Sequence, residues 1–327
     1  NLSVDKLYSA AEKRGQGKQL VNGALHQGTA PYFGRAAKSS FYVNNPNYRI
    51  DGKSLDELMA WGNAEKNEYD NMPINPSVFD RLKARVVQHL SSDGDLYVFD
   101  GFSGRTPATL LNVRVVTSRA PSALFANNIF VRAGDGQLEG FEPGWTILHA
   151  PAVEAEDADG TNGSAFIISD FVSKTTIIGG TSYHGQIKKS IFSVQNFRLP
   201  LKGILTMHAG ASEGNTGLSA IHAGLSGTGK TTLSNTGFPV ADDQICVEID
   251  ATANVISNME GGQYAKTDRL DAAKEPETWN AILHGTTAEN LFVLEDGNVD
   301  FNNSSITANG RVGYPLEFVP SAKKSAM

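Results

Sequence analysis

Apolar residues recur every four positions at Val78, Leu82, Val86 and Leu90, a spacing that lines one face of a helix and predicts one over 76–90. Glycine- and asparagine-rich turns precede it, as at Gly15-Gln16-Gly17 and Asn44-Asn45-Pro46-Asn47. Short strand-like runs follow at 96–99, 111–116, 145–149, 165–168 and 175–178, each bounded nearby by Gly, Pro, Asp or Ser. Ile187, Ile191 and Val194 share a second helical face, which Pro200 ends because its ring cannot continue the hydrogen-bond ladder.

The pattern changes near Gly203. Short strands dominate from there: 204–208, a mostly apolar run at 218–223 that reads as a buried strand, 246–249, and a hairpin over 290–301 turned by Asp296-Gly297. A helix is expected among them around 275–284. These alternations predict an α/β fold of two mixed α/β domains, 1–203 and 204–327, without internal repeats.

At 327 residues the chain has room for about two domains. Its 40% hydrophobic and 19% charged residues describe an ordinary globular protein. A formal charge of −7 argues against a nucleic-acid surface, which needs dense Lys/Arg patches, so any bound anion must be held locally. Cys246, the single cysteine, excludes an internal disulfide and a cysteine-cluster metal site. No stretch is long enough to span a membrane, and residues 1–6 do not resemble a secretion signal, so no membrane partner and a cytoplasmic location are expected.

The strongest chemical signal is Gly224-Leu225-Ser226-Gly227-Thr228-Gly229-Lys230-Thr231-Thr232, a complete G-x-x-x-x-G-K-[ST] phosphate loop. Glycines let the main chain approach phosphate oxygens closely, Lys230 reaches the β/γ-phosphates, and the Thr231 hydroxyl is suited to Mg²⁺ at the start of a following helix. A nucleoside triphosphate is the expected ligand. Such a site also needs a carboxylate for the metal. Asp242-Asp243, just after the apolar Phe238-Pro239-Val240, is a candidate at a strand end. Taken singly, the other candidates have plain readings. His208 reads as a core histidine, Lys188-Lys189 as a solvated pair, and Arg35 and Arg311 as surface arginines. On residues alone the chain is a nucleotide-dependent phosphotransferase or an ATPase.

In combination and order, however, these segments resemble the ATP-dependent phosphoenolpyruvate carboxykinases. The resemblance is carried by Gly34-Arg35, Gly180-Thr181-Ser182-Tyr183, Lys188-Lys189-Ser190-Ile191-Phe192, Leu199-Pro200-Leu201-Lys202-Gly203-Ile204 and Met207-His208. It continues through the phosphate loop, Asp242-Asp243, Glu260-Gly261-Gly262-Gln263-Tyr264-Ala265-Lys266 and Arg311-Val312-Gly313-Tyr314-Pro315. It implies conversion of oxaloacetate and ATP to phosphoenolpyruvate, CO₂ and ADP, a gluconeogenic step. By that resemblance Arg35 holds the oxaloacetate carboxylate, Arg311 spans substrate and γ-phosphate, and Tyr183 sits beside the departing CO₂. Lys189, His208 and Asp243 would hold Mn²⁺, Lys189 as a neutral amine in the field of Lys188; Lys230 and Lys266 would neutralise phosphate, and Thr231 would hold the Mg²⁺ of ATP. The two domains become a substrate side (1–203) and a phosphate-loop, nucleotide- and metal-binding side (204–327).

The chain also departs from the family pattern. Ala36-Ala37-Lys38-Ser39-Ser40 replaces a lysine-rich segment after the carboxylate arginine, Ser182 stands where tryptophan is usual, and His184 stands where glycine is usual. The family continues well beyond residue 327, so the second domain is expected to be incomplete. A non-catalytic nucleotide-binding relative, or another phosphotransferase on the same loop, are the competing readings.

Overall fold

The computed structural model describes residues 1–59, 71–224, 237–249 and 254–323, with the backbone of Ser325–Ala326. The phosphate loop from Leu225 to Thr232, with Lys230 and Thr231, lies outside the described residues; Gly224 lies within them.

The largest element is an eight-stranded mixed sheet in the order Met72–Ile74, Ser40–Val43, Phe166–Asp170, Thr175–Gly179, Trp145–Ala150, Leu111–Thr117, Tyr97–Ser103 and Val131–Arg132. Because side chains alternate across a strand, its two faces carry separate cores. On one face Phe166, Ile168 and Ile177 meet Phe79, Leu82, Val86 and Leu90 of the helix Pro76–Ser92. Asn75 caps that helix by accepting the Ser77 amide at 2.9 Å, and Pro76 occupies its first turn, where no amide donor is needed.

The other face, with Val113, Val115, Ile147 and Ile178, packs on the helices Ala120–Ile129 and Gly185–Arg198. Helix Ala120–Ile129 is buried on nearly all sides, because it also lies against a second, five-stranded sheet. That sheet runs Lys18–Gln19, Leu25–Gln27, Thr287–Glu289, Arg311–Pro315 and Gly262–Lys266, and so joins the two ends of the chain. Gly261 and Gly262 make the close approach possible: a Cβ on Gly261 would lie 2.0 Å from the Phe130 carbonyl oxygen, and one on Gly262 would lie 2.1 Å from that of Asn128.

A third, antiparallel sheet is built on the long strand Leu205–Glu213, flanked by Gln244–Ile249, Ser219–Ala223 and Phe238–Ala241. The run at 218–223 does form a strand, Ser219–Ala223, but not a buried one. Among the described residues it pairs on one side, and Leu218 is 76% exposed. Two other elements are shorter than expected. The helix near 275–284 is Pro276–Asn280, and the hairpin near 290–301 pairs through a single bridge, Val293 with Val299, around a turn at Gly297. Among the described residues no helix is long and apolar enough to cross a membrane.

Candidate active site

Helix Gly185–Arg198 and the third sheet meet at one carboxylate. His208 is the register partner of Gln244, so its ring lies beside Asp243, whose own carbonyl accepts the Ala209 amide at 3.1 Å. His208 Nε2 is 2.6 Å from Asp243 Oδ1, and Lys189 Nζ donates to Oδ2 at 2.6 Å. Phe192, one helical turn after Lys189, supports both: the ammonium stands 3.9 Å from its ring centroid and the His208 ring meets it edge-on at 5.4 Å.

Lys188 enters the same cluster from deeper in the protein. Its Nζ is 2.9 Å from Asp243 Oδ2 and 3.1 Å from Glu260 Oε2, and its side chain is 3% exposed. The plain readings of these residues are therefore corrected. Lys188 and Lys189 are not a solvated pair, because the helix turns both toward the largely enclosed Asp243 carboxylate, and His208 is half-exposed instead of filling a core.

Burial alone would raise the Asp243 carboxyl, but Lys188, Lys189 and His208 hold it well below its ordinary value. Burial pulls the Lys189 ammonium below its ordinary value, Asp243 opposing and Lys188 assisting. Lys188 has two carboxylates and ends above its ordinary value despite burial. Burial pushes Glu260 up to about 7 against the pull of Lys188. Among the described residues no group of three His, Cys, Asp or Glu side chains gathers to hold a metal. A cation here would need the lysine as a ligand, and the donor set fits one: a carboxylate with an imidazole on one oxygen and a proton-shedding amine on the other.

A second group of residues forms on the five-stranded sheet. Arg311 is the register partner of Glu289 on one side and of Lys266 on the other, and directly paired residues share a face. Tyr264, two residues before Lys266, shares it too, and the Arg311 guanidinium stands 5.4 Å from the Tyr264 ring centroid. Arg311 Nε donates to Asn309 Oδ1 at 3.0 Å. Asn309 Nδ2 donates to the Phe33 carbonyl at 2.8 Å and approaches the Tyr183 hydroxyl at 3.5 Å. Phe33, Gly34, Tyr183 and Arg311 thus gather around Asn309, and Arg35 lies two residues beyond Phe33. Arg311 and Arg35 are half-buried instead of lying on the open surface. Burial would lower the Arg311 guanidinium, but Tyr183, Tyr264, Asp243 and Glu289 hold it above its ordinary value, so it responds to both groups of residues.

Lys266 is more exposed, 3.9 Å from Asp268. The phosphate loop begins where strand Ser219–Ala223 ends. Ala223, the last residue of that strand, pairs with Ala209, the residue that follows His208.

Sequence reasoning missed Asn309, Glu289 and the role of Tyr264. Tyr264 lay inside a recognised segment, whereas Asn309 and Glu289 sit in stretches without a motif, and only strand register, for Glu289, and side-chain hydrogen bonds, for Asn309, join them to the rest.

The phosphoenolpyruvate carboxykinase family matches over residues 1–327. Similar relatives include phosphoenolpyruvate carboxykinase (ATP) 1 of Moorella thermoacetica, 39% identical over 326 residues that cover 98% of this chain and 59% of the relative. Phosphoenolpyruvate carboxykinase (ATP) of Caldanaerobacter subterraneus subsp. tengcongensis is 39% identical over 331 residues, covering 100% of this chain and 60% of the relative. That of Brevibacillus brevis is 40% identical over 326 residues, covering 98% and 59%. The chain thus spans about 59% of the length of the curated relatives it matches. With a match that leaves out no part of it, this chain belongs to the phosphoenolpyruvate carboxykinase family.

Proposed function

We propose that the protein carrying this chain is an ATP-dependent phosphoenolpyruvate carboxykinase, decarboxylating oxaloacetate and phosphorylating the resulting enolate to give phosphoenolpyruvate, CO₂ and ADP. The observation that carries the reading is the convergence of Lys189 and His208 on the two oxygens of Asp243, beside the strand pair that leads into the phosphate-loop motif.

Two tasks must be met. Loss of CO₂ leaves an enolate whose charge needs stabilising, and its oxygen must then attack the γ-phosphorus in line while ADP departs. Arg35 and Arg311 suit the first, since a guanidinium fork matches carboxylate and phosphate oxygens, and Tyr183 borders the space that CO₂ would leave. Lys189, His208 and Asp243 would hold Mn²⁺, and Thr231 the Mg²⁺ that accompanies ATP. When bound, a divalent ion supplies positive charge to the enolate and γ-phosphate oxygens. Burial and Lys188 favour the neutral amine that Lys189 would need as a ligand. Residues 224–232, with Lys230, would cradle the triphosphate, Lys266 would add charge from the neighbouring strand, and Arg311 would bridge the two ends.

The same reading divides the chain near residue 203 into a substrate side and a phosphate-loop nucleotide side, with the five-stranded sheet shared between them. A gluconeogenic enzyme of the cytoplasm, with small-molecule partners only, accords with it.

The test is a coupled assay of CO₂ release and phosphoenolpyruvate formation with ATP or GTP, Mg²⁺ and Mn²⁺, on the whole protein beside its Lys230→Ala and Lys189→Ala variants. Turnover with ATP that both variants lose is expected. ATP binding without turnover would overturn the reading in favour of a non-catalytic relative.

A further inference from the structure

We propose that Glu289 is a positioning residue for the carboxylate-binding end of the site, fixing the Tyr264 ring under Arg311 and the turn that carries Tyr183. The inference rests on the reading above, because it assigns Arg311 and Tyr183 to substrate.

Glu289 is 1% exposed at the end of strand Thr287–Glu289, directly opposite Arg311 in the sheet. An acid facing an arginine across a strand pair would ordinarily form an ion pair. Among the described residues no carboxylate is ion-paired to Arg311. The Glu289 oxygens are occupied elsewhere. Oε2 accepts a hydrogen bond from the Tyr264 hydroxyl. Oε1 accepts the His184 amide at 3.0 Å and a Gln27 side-chain N–H at 3.2 Å, and lies 3.4 Å from His184 Nδ1. The carboxylate is thereby held by donors that do not bind substrate, while Arg311 keeps its charge for an anionic ligand.

The effect reaches two site residues by separate routes. A phenol that donates to a carboxylate has a more electron-rich ring, which strengthens the attraction of the Arg311 guanidinium 5.4 Å from its centroid. The His184 amide fixes the backbone immediately after Tyr183. The His184 ring, stacked on Phe125 at 4.7 Å and accepting from Gln27 at 2.9 Å, leaves little freedom for that turn to rotate. Arg119, whose Nη2 donates to Gln27 Oε1 at 3.0 Å, is the other cation facing this group.

The test compares Glu289→Gln, Tyr264→Phe and the double variant in the whole protein. The readouts are KM for oxaloacetate, KM for ATP, the Kd of phosphoenolpyruvate alone by calorimetry, and the melting temperature. Glu289→Gln keeps the shape and avoids the folding failure that Glu289→Ala risks. It is expected to weaken oxaloacetate and phosphoenolpyruvate by about tenfold with a clearly smaller rise in KM for ATP, which the other triphosphate residues also hold, and Tyr264→Phe is expected to add less to it than it costs alone, as for residues acting through one contact. Equal losses for ATP and oxaloacetate, or a lowered melting temperature with unchanged phosphoenolpyruvate affinity, would reduce Glu289 to a structural role and overturn the proposal. A wild type that binds no phosphoenolpyruvate would instead overturn the carboxykinase reading and this inference with it.

Discussion

Lys188 and Lys189, neighbours in sequence, both reach Asp243 Oδ2, at 2.9 and 2.6 Å, yet their pKa values move in opposite directions. The difference is the second carboxylate. Lys188 alone also touches Glu260, and so stays charged while helping to drive the proton from its neighbour. Replacing Lys188 by Met would leave the buried Glu260 without its paired cation, at an expected stability cost of about 3 kcal/mol. Lys189→Ala is expected to melt close to wild type and to lose turnover. Urea unfolding of both variants, with the coupled assay alongside, checks the contrast.

His208 contributes an imidazole to the proposed cation site while remaining half-exposed, so its removal need not disturb a core. His208→Ala is expected to weaken Mn²⁺ binding by at least about tenfold with an unchanged melting temperature. Calorimetric titration with Mn²⁺ alone reads this without turnover. An unchanged Kd would remove His208 from the ligand set.

Arg311→Lys keeps the charge but loses the planar fork that bonds Asn309 and covers Tyr264. A fall in kcat/KM for oxaloacetate of about 10–100-fold is expected. Steady-state kinetics with wild type as reference checks it.

His149 is fully buried, with Nδ1 3.0 Å from the Thr117 hydroxyl and Nε2 3.2 Å from the Thr181 carbonyl, and burial lowers its pKa to about 3. The unfolded chain binds a proton near pH 6.5 that the folded chain refuses. The stability that the neutral ring contributes is therefore present above that pH and lost as pH falls toward 3. By pH 5 the loss from this one group is about 2 kcal/mol. His149→Gln is expected to lose that much less than wild type between pH 7.5 and 5 in urea titrations. Parallel curves would show that the ring is not held neutral.

Gly261→Ala would drive a methyl group to 2.0 Å from the Phe130 carbonyl oxygen, which belongs to backbone and cannot swing away. A loss of about 3 kcal/mol is expected by thermal melting. A neutral outcome would mean that the second sheet can separate from helix Ala120–Ile129 at little cost.

Much of this fold was legible wherever one side of an element is wet. The four-residue spacing of Val78, Leu82, Val86 and Leu90 marked Pro76–Ser92, because that helix covers one sheet face and meets solvent on the other. Helix Ala120–Ile129 gave no such stripe, since it is enclosed between two sheets and apolar nearly all round. The same limit applied at the site. Asp243 and His208 could be named through resemblance to a family, but whether Lys188 and Lys189 were solvated or buried depends on which way a helix faces, and no local pattern records that. Glu289 became visible only once strand register brought it opposite Arg311 and against Gln27.

The five-stranded sheet has a consequence for biosynthesis. Leu25–Gln27 finds its parallel partner in Thr287–Glu289, and Gln27 helps hold Glu289 and the turn after Tyr183. During translation the first of these strands leaves the ribosome long before its partner exists, and long-range pairing of this kind is slow to form. The eight-stranded sheet can assemble from residues 40–179 while synthesis continues. The nascent amino-terminal strands lack that partner until Thr287–Glu289 has emerged, so the proposed carboxylate end of the site matures well after the eight-stranded sheet.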